Sequence, residues 1–384
     1  MKMAIARLHC ISPEAVQQYG WPHFLTLRGN AVLGAPWTAK GSLDALGSLR
    51  WTAAPATRHP NVTGQILAGF LHQATTAVAA APLPVAGRTE SADADLIEAR
   101  ASDVAAFWLT GDPLTAYQFA RAELDLITTL LGEPRGHPAW SRLLLAAAHH
   151  ADLCAVITGI LGDYAAAERY SMLAVRTAAS AGSVPHTAFT MAELAAGHAR
   201  GKDPRDAFVV NAATRSVIPR PAPRLSAVLS ANEAQAQARL GNTNATLRAL
   251  DSAAGALTAG TGDGPLWCVV DEQWLSHSRG EAMYALGLHS KALEHFDHLL
   301  KDAPSPPFTT QPPLYTALAL QLATRVQLQL GEIDAAVHTA RRTAALFHRM
   351  PSGLAQRERR MFEPHRRVPS VREFLEFHAE ATGV

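Results

Sequence analysis

Two histidine arrangements are, by residue type, best suited to chemistry in this chain. His149 and His150 stand side by side in a run of helical periodicity. Consecutive helix residues point about 100° apart, so the pair cannot chelate one ion well. One histidine in a groove and one packed between helices is the expectation. Glu294-His295 with His298 puts two histidines on one helical face. There is no HExxH and no third ligand nearby, so a solvated face of an outer helix is expected, and neither a metal nor a cofactor is called for. GxSxG, a P-loop and a GxGxxG-plus-acid unit are all missing. Proton transfer needs only one positioned side chain with a shifted pKa. An enzyme using His149, Asp152, His277 and Glu281 as acid and base is therefore one alternative, and a protein-assembly scaffold is another.

The elements that must hold these residues repeat. In the stretch Leu318 to Phe347, apolar residues recur at Leu318, Leu322, Val326 and Leu330. Gly331-Glu332-Ile333-Asp334 interrupts, and Ala335, Ala336, Val337 and Ala340 resume the helical pattern. Gly331 can take the positive φ that closes a helix, and Asp334 reads as the N-cap of the next. The small Ala336 lets the two helices lie close. Similar punctuation occurs at Gly111, Gly162, Gly201, Gly241 and Gly287. The Gly201-Lys202-Asp203-Pro204 turn has one extra residue. Such self-similarity predicts an all-α solenoid of helical hairpins. The glycines lie roughly 40 to 50 residues apart, longer than the ~34 of a tetratricopeptide repeat.

The 384 residues could form two ordinary domains or one array. A hydrophobic content of 48% suffices for a continuous core, and 17% charged residues is low for a disordered chain. A net charge of +1 gives no global argument for nucleic acid. Cys10, Cys154 and Cys268 form no CxxC pair, which fits a reducing cytoplasm. No secretory signal is read. The runs Ile66 to Ala86 and Leu143 to Leu161 are interrupted by polar residues or proline, so no membrane span is expected.

Three regions are expected. Residues 1–90 form an N-terminal extension with a Gly/Pro/Ala-rich connector, pinned by Trp37 and Trp51 and holding one helix from about Val62 to Ala80. Residues 91–350 carry six hairpins. Residues 351–384 cap the array, with Arg357, Arg359, Arg360, Arg366, Arg367 and Arg372 on a solvated basic face. Ser370-Val371-Arg372-Glu373 reads as a capping box opening the last helix.

Several stretches resemble a known family. IARLHCISPEAV looks like the last helix and exit of an Xre-type helix-turn-helix domain, and YGWPHFL like the linker that follows it. GDYAAAERYSMLAVRTAASAG, ANEAQAQARLGN, WLSHSRGEAMYALG, GEIDAAVHTARRTAALF and PHRRVPSVREFL resemble the tetratricopeptide-repeat sensor region of such regulators, often found beside specialised-metabolite genes. The recognition helices would lie before Met1, so no sequence-specific DNA binding by this chain alone is expected.

In that family the first helix of each hairpin lines a concave groove, at positions about 13, 10, 6, 3 and 2 residues before the turn glycine. Carried over, the resemblance implies His149, Asp152, Met191, His198, Gln235, Arg239, Trp274, His277, Glu281, Tyr284, Gln321 and Arg325 as ligand-binding residues. Such a groove suits a peptide or small metabolite. The lysine and asparagine pattern that clamps a peptide C-terminus in some members is not evident. The expected function is a cytoplasmic, ligand-responsive regulator that signals to a protein partner, with a homodimer as a further option.

Overall fold

The turn glycines act as their chemistry predicts. Gly162, Gly241, Gly287 and Gly331 take φ of 89°, 77°, 74° and 79°. Each closes its helix with two nested backbone bonds. At Gly162 these run from its own N–H to the Gly159 carbonyl (3.1 Å) and from the Asp163 N–H to the Thr158 carbonyl (2.9 Å). Side chains then open the next helices. Asp163 accepts from the Ala166 N–H at 2.9 Å, and Asp271 from the Trp274 N–H at 2.8 Å. Gly201 is the exception and holds no positive φ.

The computed structural model describes residues 30–48, 62, 64–80, 91–109, 113–132, 139–201, 203–260, 270–300, 313–346 and 352–382, plus positions 3, 11, 13, 16 and 17. Among the described residues there are helices and no strand. Ahead of the hairpins come α1 (Ala31–Gly34), α2 (Ala39–Ser48) and α3 (Gly64–Ala80). Hairpin 1 pairs α4 (Ala92–Leu109) with α5 (Pro113–Leu131), and hairpin 2 pairs α6 (Trp140–Leu161) with α7 (Tyr164–Ser180). Hairpin 3 pairs α8 (Val184–Ala199) with α9 (Arg205–Val217). Hairpin 4 pairs α10 (Pro223–Arg239) with α11 (Thr243–Thr258). Hairpin 5 pairs α12 (Glu272–Ala285) with a broken second arm, α13 (His289–Glu294) and α14 (Asp297–Leu300). Hairpin 6 pairs α15 (Pro313–Leu330) with α16 (Ile333–Leu346). α17 (Ser352–Phe362) and α18 (Pro369–Thr382) follow. The architecture is α-solenoid-like, with the first helix of each hairpin packed on the first helix of the next.

The array closes on itself. α15 of hairpin 6 touches α4 of hairpin 1, and α17 touches α6. Ala317 and Leu354 belong to the same buried apolar cluster as Ile97, Leu143 and Leu173. The inner surface is thereby enclosed by first helices.

Residues 31–48 and 64–80 do more than connect. They pack across the second helices of hairpins 1 to 3: α2 on α5 and α7, and α3 on α7 and α9. Arg176 on α7 is fully buried and donates to the carbonyls of Val32 (3.0 Å), Ala35 (3.0 Å) and Pro36, with its guanidinium 4.6 Å from the Trp37 ring. Trp37 packs on Phe70 and donates from its indole to Gln73 at 2.6 Å. At the other end Glu168 accepts from the Val62 N–H (3.1 Å), and Asp206 from the Gly64 N–H (3.4 Å). Two carboxylates thus face the positive end of the α3 dipole.

Several local expectations need correction. Asp334 lies inside the first turn of α16 and accepts from the Ser370 hydroxyl at 2.5 Å, so it is not the N-cap. The same bond occupies Ser370, one residue inside a helix that starts at Pro369, so the capping box is not formed as read. The helix expected to hold Glu294, His295 and His298 breaks at His295-Phe296. Phe296 is 1% exposed there, with its ring against Gly280 of α12. Of the basic tail, Arg360, Arg366, Arg367 and Arg372 are exposed, but Arg357 turns inward against Gly162. Trp51 and Gly111 lie outside the described residues.

The Phe296 contact yields a sharp expectation. A Cβ at Gly280 would lie 2.2 Å from the ring, so Gly280→Ala must expel a side chain whose burial is worth about 1.5–3 kcal/mol. Thermal melting should fall by several degrees, while Gly197→Ala, where a Cβ meets nothing within 4 Å, should change it little.

Candidate functional site

On the inner face, hairpins 3 and 5 meet across hairpin 4. Arg200, which caps α8, donates from Nε and Nη2 to the two Glu281 oxygens at 3.0 and 3.1 Å. Neighbouring packed helices lie about 8–10 Å apart, so axes two hairpins apart in a straight stack would be roughly 16–20 Å apart. A direct two-pronged bridge between them requires strong curvature, and it marks the side toward which the array bends.

Around this bridge the structure gathers Glu193, Gly197, His277 and Arg239. Glu193 and Arg200 lie seven residues apart, two turns along one face of α8. Gly197 sits between them, exposed and with open space beside it. His277 lies one turn before Glu281 on α12. Its ring meets Phe296 edge-on at 6.1 Å between centroids, and its Nδ1 is buried without a hydrogen-bond partner.

The charges are unequal. Burial opposes the Glu281 carboxylate, yet Arg200, His277 and Arg239 overcome it and hold its pKa at about 2. Burial pushes Glu193 up, only partly offset by Arg200. Burial likewise pushes His277 down, with Glu281 opposing and Arg200 reinforcing the shift. The wall therefore offers two guanidinium groups, one firmly ionised carboxylate and one neutral imidazole. A carboxylate of such low basicity, already accepting two hydrogen bonds, is a poor proton acceptor. The arrangement is suited to polar recognition: Arg binds carboxylate-like groups in a fork, and His277 has a free ring nitrogen.

The other expected ligand residues fall elsewhere. Met191 is 0% exposed and part of the main core. Gln235 is 4% exposed, and its amide donates to the Ser278 carbonyl at 2.9 Å, clamping α10 to α12. Asn232 clamps α10 to the Ala192 carbonyl in the same way, at 2.7 Å. His198 is 9% exposed, and burial pulls its pKa down with Asp206 opposing, while Trp274 and Tyr284 pack in apolar clusters between helices. Asp152 and Gln321 are buried. His149 stacks on His150, with ring centroids 5.7 Å apart and planes at 11°. Arg325 is half-buried. Of the twelve, only His277, Glu281 and Arg239 come together.

Glu193 and Arg200 lie eight and one residues before Gly201, at none of the positions that the expected groove frame includes. The helix end itself is not shifted: Gly201 follows the Arg200 cap as Gly241 follows Leu240 and Gly287 follows Leu286. No local signal marks Arg200, because its partner Glu281 is 81 residues away.

Among the described residues no group of three or more His, Cys, Asp or Glu side chains could hold a metal ion. Trp140–Leu161 is long and apolar enough to cross a membrane by length and composition, and 72% of its apolar window is buried inside the protein. An open polar cleft of about 400 Å³, lined by Arg215, Glu233, Gln237 and Arg248 among others, lies between α9, α10 and α11.

No protein-family model matches the chain, and no curated protein matches it.

Proposed function

We propose that this protein is a ligand-responsive regulator of the tetratricopeptide sensor type, binding a peptide or small metabolite on its inner face and signalling to a protein partner. The observation that carries this reading is the Arg200–Glu281 bridge, which ties hairpin 3 to hairpin 5 over the open space at Gly197. Its side chains keep 47% and 23% of their surface exposed, so a ligand carboxylate arriving from solvent can compete with Glu281 for the Arg200 fork. Opening the bridge relaxes the curvature between hairpins 3 and 5. α2 and α3, docked on the second helices of hairpins 1 to 3, carry that change outward to the partner. The resemblance of the hairpin stretches to sensors beside specialised-metabolite genes makes transcriptional control of such metabolism the matching role.

Native mass spectrometry of the protein after incubation with source-cell extract tests this. The reading expects a discrete added mass in the range of a metabolite or short peptide. Recovery of only the bare chain, or only of a complex with another protein, would remove the ligand from the account and leave a scaffold.

A further inference from the structure

We infer that the solvent face of hairpin 1 is a docking surface for a second copy of this chain. Four large apolar side chains on it keep between 38% and 50% of their surface exposed: Leu96 and Phe107 on α4, Phe119 and Leu126 on α5. Leu96, Arg100 and Phe107 follow at steps of four and seven residues, and Phe119, Glu123 and Leu126 at steps of four and three. Each set therefore forms one stripe along its helix. Two contacts lay the stripes side by side. The Phe107 and Phe119 rings stack with centroids 5.2 Å apart, and Arg100 reaches Glu123 at 3.2 Å. The face runs from an aromatic pair at the turn end, through one ion pair, to Leu96 and Leu126 at the open end. A terminal repeat ordinarily turns a polar side to water. The other end of the array does so by folding α17 and α18 onto hairpin 6, where Phe362, Val371 and Phe374 are buried in one cluster with Val337.

The order of groups on this face is complementary to itself. A two-fold axis lying in the face, parallel to the helices, places α4 of each copy over α5 of the other. The covering helices run antiparallel, as in a four-helix bundle. Phe107 then meets Phe119 of the second copy, Leu96 meets Leu126, and the partly exposed Arg100 meets Glu123, each in both directions. Asp103, exposed between Arg100 and Phe107, falls opposite the small Ala122. An axis across the helices would instead set Arg100 against Arg100, so the charges select the first arrangement. The 18 residues of α4 span about 27 Å, and packed helices lie about 8–10 Å apart. Such a face covers roughly 500 Å² on each copy, about 1,000 Å² in all, the lower limit for a specific interface. The dimer is therefore one that separates on dilution. It does not depend on the inner-face ligand and stands or falls separately from that reading.

The test is sedimentation velocity of the full chain at low salt over a wide range of concentration. A dimer should form at high concentration and separate on dilution. Phe119→Asp and Leu96→Asp, at opposite ends of the face, should each weaken it at least tenfold without lowering the melting temperature of the dilute chain. Leu247→Asp, at an exposed position on α11, should leave the dimer unchanged. Charge reversal tests the register. Arg100→Glu and Glu123→Arg should each be monomeric alone and should pair when mixed, because only the mixture sets opposite charges across the axis. The two Asp variants decide the matter if Glu123→Arg fails to fold. A chain that stays monomeric at every concentration, a dimer that survives either Asp substitution, or two folded charge variants that do not combine overturns the proposal.

Discussion

Replacing Arg176 with alanine is expected to lower stability by about 3–5 kcal/mol and to release residues 31–48 first. The side chain is 0% exposed and serves three backbone carbonyls. Hydrogen bonds to a charged group contribute about 1.5–3 kcal/mol each, and the carbonyls left behind have no water to turn to. A cavity under Trp37 adds to the loss. Arg176→Lys should restore little, because one ammonium cannot reach three carbonyls and lie flat on an indole. Hydrogen exchange is the discriminating readout. The amides of Gly34, Ala35 and Ser42, which bond within this segment, should lose protection before those of hairpin 4. Uniform loss across the ring would show that the segment is not a separately held layer.

The second large effect is a pH dependence with two opposing parts. Burial pulls His149 down to about 3, with His150 and His186 adding to it, and burial pulls His150 down to about 4. Both folded values lie below the ordinary 6.5. Their contribution is thus complete above pH 6.5 and is lost as the pH falls toward the folded values. At pH 5 this amounts to about 2 kcal/mol per histidine. Glu168 runs the other way. Burial raises it from 4.5 to about 7, helped by Asp206 and opposed by the Val62 N–H. Its contribution is present below pH 4.5 and is lost as the pH rises through about 7, so at pH 5 it returns about 2 kcal/mol relative to pH 8.

Two variants separate these parts. His150→Leu should shrink the drop in melting temperature between pH 8 and pH 5. It should also hold or raise stability at pH 8, since it removes two buried ring nitrogens that have no hydrogen-bond partner. Glu168→Gln should enlarge the drop. Superimposable profiles for all three proteins would mean that neither burial governs the pH response.

How far the sequence could be read depended on how local the determinant was. Gly162, Gly241, Gly287 and Gly331 announce their turns through backbone chemistry confined to a few residues. Arg176 could not be read this way, because its partners Val32, Ala35 and Pro36 are about 140 residues away and the surrounding pattern is that of any buried helix. Periodicity showed that one face of α10 is inward, but not that Gln235 and Asn232 would spend their amides on the carbonyls of adjacent helices. Closure of hairpin 6 onto hairpin 1 is the sum of small rotations at every interface, and no single stretch encodes it. The charged cluster was legible by halves: His277 and Glu281 fall on expected positions of α12, whereas Arg200 sits outside the frame on α8 and is brought in only by a contact 81 residues away in the chain.

The central claim is that the inner face, and not the outer one, holds a ligand. Native mass spectrometry of three proteins incubated with the same source-cell extract tests it most directly. One is the unaltered chain, one carries Arg200→Ala with Glu281→Ala, and one carries Arg215→Ala with Glu233→Ala, which removes the 3.6 Å ion pair of the outer cleft. The account predicts a bound mass on the unaltered chain, its retention in the outer-cleft variant, and at least a tenfold reduction in the inner-face variant. Retention in the inner-face variant with loss in the outer-cleft variant would contradict it and move the site to the opposite surface.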